Sequence, residues 1–130
     1  MTRGNECVDI KENSRKNLVE DNRCTGQRDK ESGGFDSRGN SNTFRFNTSA
    51  GNKGAGIRLG GDGRRDGIKN RAYGNVIRDN GQYGIQMTRN PQSLICGNRI
   101  SGWSRAEFRA PRAKIPAYRK ACPKGTPQRR

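Results

Sequence analysis

Laid against itself, the chain repeats a short strand-like element, and this repeat limits the fold more than any other feature. Val8-Asp9-Ile10-Lys11-Glu12-Asn13 aligns with Phe35-Asp36-Ser37-Arg38-Gly39-Asn40, and Gly56-Ile57-Arg58-Leu59 and Gly84-Ile85-Gln86-Met87 hold the same register. A second element follows each copy: Asn17-Leu18-Val19-Glu20-Asp21-Asn22, Asn42-Thr43-Phe44-Arg45-Phe46-Asn47, Asn75-Val76-Ile77-Arg78-Asp79-Asn80 and Ser93-Leu94-Ile95-Cys96-Gly97-Asn98. Gly, Asn, Asp and Ser fill the intervals, which is turn chemistry. The anchors Val8, Phe35, Ile57 and Ile85 lie 27, 22 and 28 residues apart, so the strands are constant and the connections vary. Helical and leucine-rich repeats keep tighter periods.

Within each element the alternation has period two, placing Val8 and Ile10 on one side and Asp9 and Lys11 on the other. The expectation is an all-β parallel solenoid of about four rungs. Val8, Phe35, Ile57 and Ile85 would stack as one apolar column, and Val19, Phe44, Ile77 and Ile95 as a second. Such a fold needs only a thin core. That reconciles order with a hydrophobic content of 28%, a mean hydropathy of −1.18 and a net charge of +15, values that otherwise point toward disorder. Asn22, Asn47, Asn80 and Asn98 are expected at one turn position of successive rungs, their amides stacked in a ladder. Asn47-Thr48-Ser49 sits on that ladder and is discounted as a glycosylation sequon.

The pattern fades near Trp103. The expected division is 1–102 for the repeats and 103–130 for an irregular basic tail with prolines at 111, 116, 123 and 127, which carries +8 of the net charge. The first rung begins within a few residues of Met1 without a visible cap, which is expected of a fragment of a longer solenoid. No apolar stretch approaches a membrane span, and Met1–Asn5 lack the apolar core of a secretory signal. The four cysteines, Cys7, Cys24, Cys96 and Cys122, permit two disulfides in any of three connectivities, and the tail is pinned if Cys122 pairs with Cys96. Their spacing matches no zinc motif, and the lack of histidine removes Ser-His, Cys-His and His-metal chemistry.

The register also orders the outward side chains. Asp9, Asp36, Arg58 and Gln86 fall in one column, with Lys11 and Arg38 in the next. β-Elimination on a uronate needs its carboxylate neutralised, a proton removed from C5 and the leaving oxygen protonated. Asp9 and Asp36 are hard oxygen ligands suited to calcium. A lysine beside positive charge can act as base, and Arg38 and Arg58 can grip a carboxylate bidentately. The plain alternative is a solvated sheet face with cross-strand ion pairs.

Glu6-Cys7-Val8-Asp9-Ile10-Lys11, Phe35-Asp36-Ser37-Arg38-Gly39-Asn40 and Ala55-Gly56-Ile57-Arg58-Leu59-Gly60-Gly61 resemble the central rungs of right-handed β-helix proteins of the pectate-lyase-like superfamily. Locally they are similar to alginate and dermatan lyases of the chondroitinase-B type. The resemblance, over roughly residues 4–102, implies a right-handed parallel β-helix and a secreted, extracellular protein. It implies Lys11 as base, Arg38 as proton donor and Glu6 near the calcium site, while their place in the outward column makes Asp9 and Asp36 the candidate calcium ligands and Arg58 and Gln86 the candidate substrate contacts. Two departures stand out. No histidine separates Arg38 from Gly39-Asn40, and Gly4 occupies the place of a second acidic calcium ligand.

Three functions follow as expectations. The first is a polysaccharide lyase, or a remnant of one, acting on an acidic polysaccharide that the basic chain would attract. The second is a non-catalytic β-helix that binds carbohydrate or acts as a spacer. The third is nonspecific polyanion or nucleic-acid binding by the tail through counterion release. A glycoside hydrolase using Asp9 and Asp36 as paired carboxylates is a lesser variant of the first.

Overall fold

A computed structural model describes residues 6–112 and 114–129. The chain winds through coils of three strands each. The first coil holds β1 (Val8–Ile10), β2 (Leu18–Glu20) and β3 (Arg23–Thr25), and the second β4 (Gly33–Ser37), β5 (Thr43–Arg45) and β6 (Thr48–Ala50). The third holds β7 (Ala55–Leu59), β8 (Arg71–Tyr73) and β9 (Val76–Asn80), and the fourth β10 (Tyr83–Met87), β11 (Leu94–Cys96) and β12 (Arg99–Trp103). β13 (Ala106–Arg109) opens a fifth turn, and a 3-10 turn follows over Ile115–Arg119. Each strand pairs in parallel with its counterpart one coil away, giving sheets β1-β4-β7-β10-β13, β2-β5-β8-β11 and β3-β6-β9-β12. This is a parallel β-solenoid. Among the described residues no helix is long and apolar enough to cross a membrane.

The first sheet stacks Val8, Phe35, Ile57, Ile85 and Phe108 in register, as the repeat requires. Phe35, Ile57, Leu59, Ile85 and Met87 are fully buried, and each contributes about 2 kcal/mol of transfer free energy. Phe35 meets Phe44 of the second sheet edge-on, ring centroids 6.4 Å apart. The second column differs from expectation. Val19, Phe44, Ala72 and Ile95 stack in the second sheet, whereas Ile77 stacks with Cys24, Ser49 and Ile100 in the third. The two-element repeat is thus three strands per coil. Only a two-residue corner separates the second and third sheets, so in the sequence they read as a single strand with one alternation.

Those corners have a common construction. Asp21, Phe46, Gly74 and Gly97 adopt positive φ of 58, 58, 67 and 59°, and each is followed by an asparagine. The N–H of Asn22, Asn47 and Asn75 donates to Oδ1 of the asparagine one coil on, Asn47, Asn75 and Asn98, at 3.1, 3.0 and 3.0 Å. The ladder is real, but Asn75 holds the place expected of Asn80. Asn80 belongs to another corner, where Gln27 donates to Asn52 and Asn52 to Asn80. A third ladder links Asn17, Asn42, Asn70 and Gln92. The asparagine following each left-handed residue satisfies the backbone groups that the bend removes from the sheets. Asn47, 1% exposed with its Nδ2 donating to Val19 O and Asn75 Oδ1, cannot present itself for glycosylation.

The segment after Trp103 is largely tied down. β13 adds a fifth strand to the first sheet, and Ile115 and Tyr118 pack on the core beyond it. Cys7 pairs with Cys24, and Cys96 with Cys122. From Cys122 the chain runs back along the corner between the second and third sheets. It passes beside Phe46 and Gly74 to Arg129, whose Nη1 lies 2.9 Å from Asp21 Oδ1 in the first coil. Gly97 is required here, because a Cβ would approach Cys122 Sγ to 2.8 Å. The tail is a strap spanning the coils.

Candidate functional site

Because side chains alternate across each strand, every outward position of the first sheet joins a column along the solenoid axis. Asp9 pairs in register with Asp36, Asp36 with Arg58, Arg58 with Gln86 and Gln86 with Arg109. The predicted column is therefore present, one residue longer than expected. Lys11 and Arg38 leave the ends of β1 and β4 beside it, with Arg38 N–H donating to Ile10 O at 2.8 Å.

The acidic end of this face is a cluster of charges in mutual contact. Asp9 Oδ2 receives Lys11 Nζ at 2.5 Å and Arg38 Nη2 at 2.9 Å. Burial works against the charge on Asp9, but hydrogen bonds from Lys11, Glu6 and Arg38 hold its carboxyl below the usual aspartate value. Glu6 is pushed the other way, by burial first and then by its hydrogen bond to Asp9 and the charges of Asp9 and Asp36. The two therefore share a site in which Asp9 is the better anion. Arg38 is raised above its ordinary value, chiefly by its hydrogen bond to Asp9, which fixes it as a cation.

Asp36 is 4% exposed, and burial pushes it up to about 6, a shift that the Gly33 N–H and the Arg58 charge only partly oppose. Gly33 N–H donates to Asp36 Oδ2 at 3.2 Å. Arg58 Nη1 stands 3.5 Å from Asp36 Oδ1, close enough for attraction but not for a hydrogen bond that satisfies either group. Asp36 Oδ1, Asp9 Oδ1 and Arg58 Nε are accordingly buried without a hydrogen-bond partner in the protein. Unsatisfied buried polar atoms are costly, and three of the five among the described residues fall on this face.

Two recesses open over these groups. One, of about 380 Å³, is bordered by Glu6, Lys11, Asp36, Arg38 and Arg58. The other, of about 440 Å³, is lined by Lys30, Arg58, Gln82, Gln86, Arg105 and Arg109. Arg58 belongs to both, so a proton-holding end and a basic end adjoin through one guanidinium. Arg109 also lies over the Tyr83 ring, 5.8 Å from its centroid.

All seven candidate residues thus lie on one face. Glu6, Asp9, Lys11, Asp36, Arg38 and Arg58 meet at its acidic end, and Gln86 stands in the basic recess. Among the described residues no group of three or more His, Cys, Asp and Glu side chains is arranged to hold a metal ion. Asp9 Oδ2 is already shared by two cations, and Glu6 is biased toward its protonated form. Asp9 and Asp36 each keep one oxygen without a hydrogen-bond partner.

The family profile described as right handed beta helix region matches residues 3–107. The chain belongs to the right-handed β-helix family. No curated protein and no solved structure matches it. The match ends within β13 of this β-helix, the strand whose Arg109 extends the outward column.

Sequence reasoning missed three basic groups of the β-helix's second recess, Lys30, Arg105 and Arg109. Lys30 lies in the connection between β3 and β4, where no period operates. Arg105 and Arg109 flank Ala106-Glu107-Phe108, whose alternation could have been read as a further strand. The surrounding charge and prolines masked it.

Proposed function

We propose that this β-helix binds an acidic polysaccharide along the outer face of its first sheet. Arg58, Arg105, Arg109 and Lys30 take the carboxylates, and Gln86 hydrogen-bonds the sugar hydroxyls beside them. The observation that carries this reading is Arg58 itself. It joins the two recesses, its Nε is buried and unpartnered, and it faces a carboxyl that it does not satisfy. A bound carboxylate supplies the acceptor that Asp36 supplies poorly, in the bidentate geometry that guanidinium favours. Arg58, Gln86 and Arg109 stand on the paired strands β7, β10 and β13, so little ordering entropy is lost on binding at these positions. Such a partner places the protein outside the cell, where its two disulfides would persist.

A second reading, β-elimination at the acidic end, is favoured by Asp36, a carboxyl titrating at about 6 beside the cation that would hold the uronate. In that reaction a base removes the C5 proton, its electron pair forms the C4–C5 double bond, and the C4–O4 bond breaks as O4 takes a proton. The resemblance gives Lys11 the base role and Arg38 the proton. Their shared contact with Asp9 favours the binding reading instead, since an ion-paired ammonium presents charge rather than a lone pair. The test is incubation with alginate, pectate, dermatan sulfate and chondroitin sulfate, with calcium and with chelator, following binding and the ultraviolet absorbance of unsaturated uronate together. Binding lost in Arg58→Ala supports the first reading. Product lost in Lys11→Ala and Arg38→Ala establishes the second. No binding to any of the four polymers by folded protein refutes both.

A further inference from the structure

The outer face of the second sheet is built differently, and none of its residues enters the reading above. At its border Lys16, Ser41 and Lys69 adopt positive φ of 59, 60 and 58° and stack one per coil, with Lys16 N–H donating to Ser41 O at 3.1 Å. Lys16 and Lys69 are exposed, and two coil steps set them about 10 Å apart along the axis. Beside them Arg71 occupies the outward column between Thr43 and Leu94. Two recesses of about 480 and 350 Å³ adjoin here and share Arg71, Tyr73, Ser93 and Pro127. They form one groove, with the second sheet as its floor and the C-terminal strap as its wall. Lys16 and Lys69 line the larger recess, and Lys124 of the strap lines the smaller.

Among the described residues, the charge in this groove is not neutralised by carboxylates. The bordering acids are engaged, Glu20 by Arg45 at 3.0 Å and Asp21 by Arg129 at 2.9 Å. Among the described residues Lys16, Lys69, Arg71 and Lys124 have no carboxylate within ion-pair distance. Four unpaired cations in a groove walled on one side suit a single anionic strand better than a flat surface. The groove offers no stacking platform, because Tyr73 is 4% exposed and its hydroxyl accepts a hydrogen bond from Arg45. Single-stranded nucleic acid depends on such platforms.

We propose that this groove is a second binding site, separate from the first sheet, for a linear polysaccharide bearing carboxylate or sulfate groups, which Lys16, Lys69, Arg71 and Lys124 take. A β-helix with both sites would hold acidic polymer on two faces and could bridge two chains.

The test is calorimetric titration of the full chain with an alginate oligomer, which carries carboxylates only, and a dextran sulfate oligomer, which carries sulfates only. Lys69→Glu/Arg71→Glu is compared with Arg23→Glu/Arg99→Glu, an equal charge change at exposed positions of the third sheet, and with Arg58→Ala/Arg109→Ala on the first. The groove variant should lose at least tenfold in affinity for one oligomer while the third-sheet control keeps it; the oligomer affected names the anionic group. Circular dichroism verifies folding, and Lys69→Ala/Arg71→Ala replaces the reversal if that variant does not fold. Equal loss in the groove and control variants means net charge alone and overturns the proposal. So does tighter binding of oligo-dT that depends on Lys69 and Arg71. Loss confined to Arg58→Ala/Arg109→Ala sinks this site and leaves the first-sheet reading, whereas loss confined to the groove variant does the reverse.

Discussion

The outer faces of the first and second sheets rest on the same scaffold and carry opposite electrostatic designs. On the first, acids and bases interleave along one column, and the crowding leaves Asp9 Oδ1, Asp36 Oδ1 and Arg58 Nε buried and unpartnered. On the second, Glu20 and Asp21 are held by Arg45 and Arg129, and among the described residues the remaining groove cations have no ion-pair partner. The difference shows where this fold leaves freedom. Inward columns and corner asparagines are dictated by stacking, while outward columns answer only to solvent and ligand. The first face can hold a proton as well as a charge, and the second offers charge alone.

The strongest way to break the comparison is to damage the scaffold both faces share. Asn47→Ala removes the acceptor for Asn22 N–H and the donor to Val19 O in the buried ladder, at a cost on the order of 4 kcal/mol. Urea unfolding should record that loss, and ligand affinity at the two faces should fall together. A change below 1 kcal/mol would mean that the ladder is decorative. The outward Thr43→Ala, at the start of β5 in the same coil, should shift stability by less than about 0.5 kcal/mol.

Asp36→Asn sharpens the comparison by acting on the first face alone. Folded Asp36 titrates at about 6 against an ordinary 3.8, so between those values the folded chain keeps a proton that the unfolded chain releases. Stability contributed by this group therefore falls as pH rises from about 4 to about 6, by up to about 3 kcal/mol. Asp36→Asn should flatten that slope in urea midpoints taken across the range and be the more stable protein near neutral pH. An unchanged slope would assign the titration elsewhere. Arg58→Ala should lower affinity for an acidic polymer by about tenfold, about 1.4 kcal/mol, without altering the second face. The smallest effect belongs to the strap. Arg129→Ala removes an exposed ion pair with Asp21 and should change the melting free energy by no more than about 0.5 kcal/mol.

How much of this was legible in the sequence follows from the same division. Val8, Phe35, Ile57 and Ile85 announced the first sheet because each sits in a strand flanked by turn residues and must face inward. The register then placed Asp9, Asp36, Arg58 and Gln86 correctly, since a column is fixed once its neighbours are. The second and third sheets merged because a corner of one left-handed residue and one asparagine does not interrupt period two, and this misplaced Ile77 and Asn80. A phenylalanine at a positive φ, Phe46, gives no signal that the chain turns there. The burial of Asp36 was unreadable, since no period governs the connection whose Asp29, Glu31 and Ser32 border the recess beside it. Arg105 and Arg109 were hidden inside what reads as a charged tail.

The most direct test of the central claim is a map of backbone amide chemical shifts on titration with a polyuronate oligomer. The account predicts shifts at Arg58, Gln82, Gln86, Arg105 and Arg109 that saturate with one affinity and vanish in Arg58→Ala. Saturable binding that leaves these five amides unmoved would contradict it.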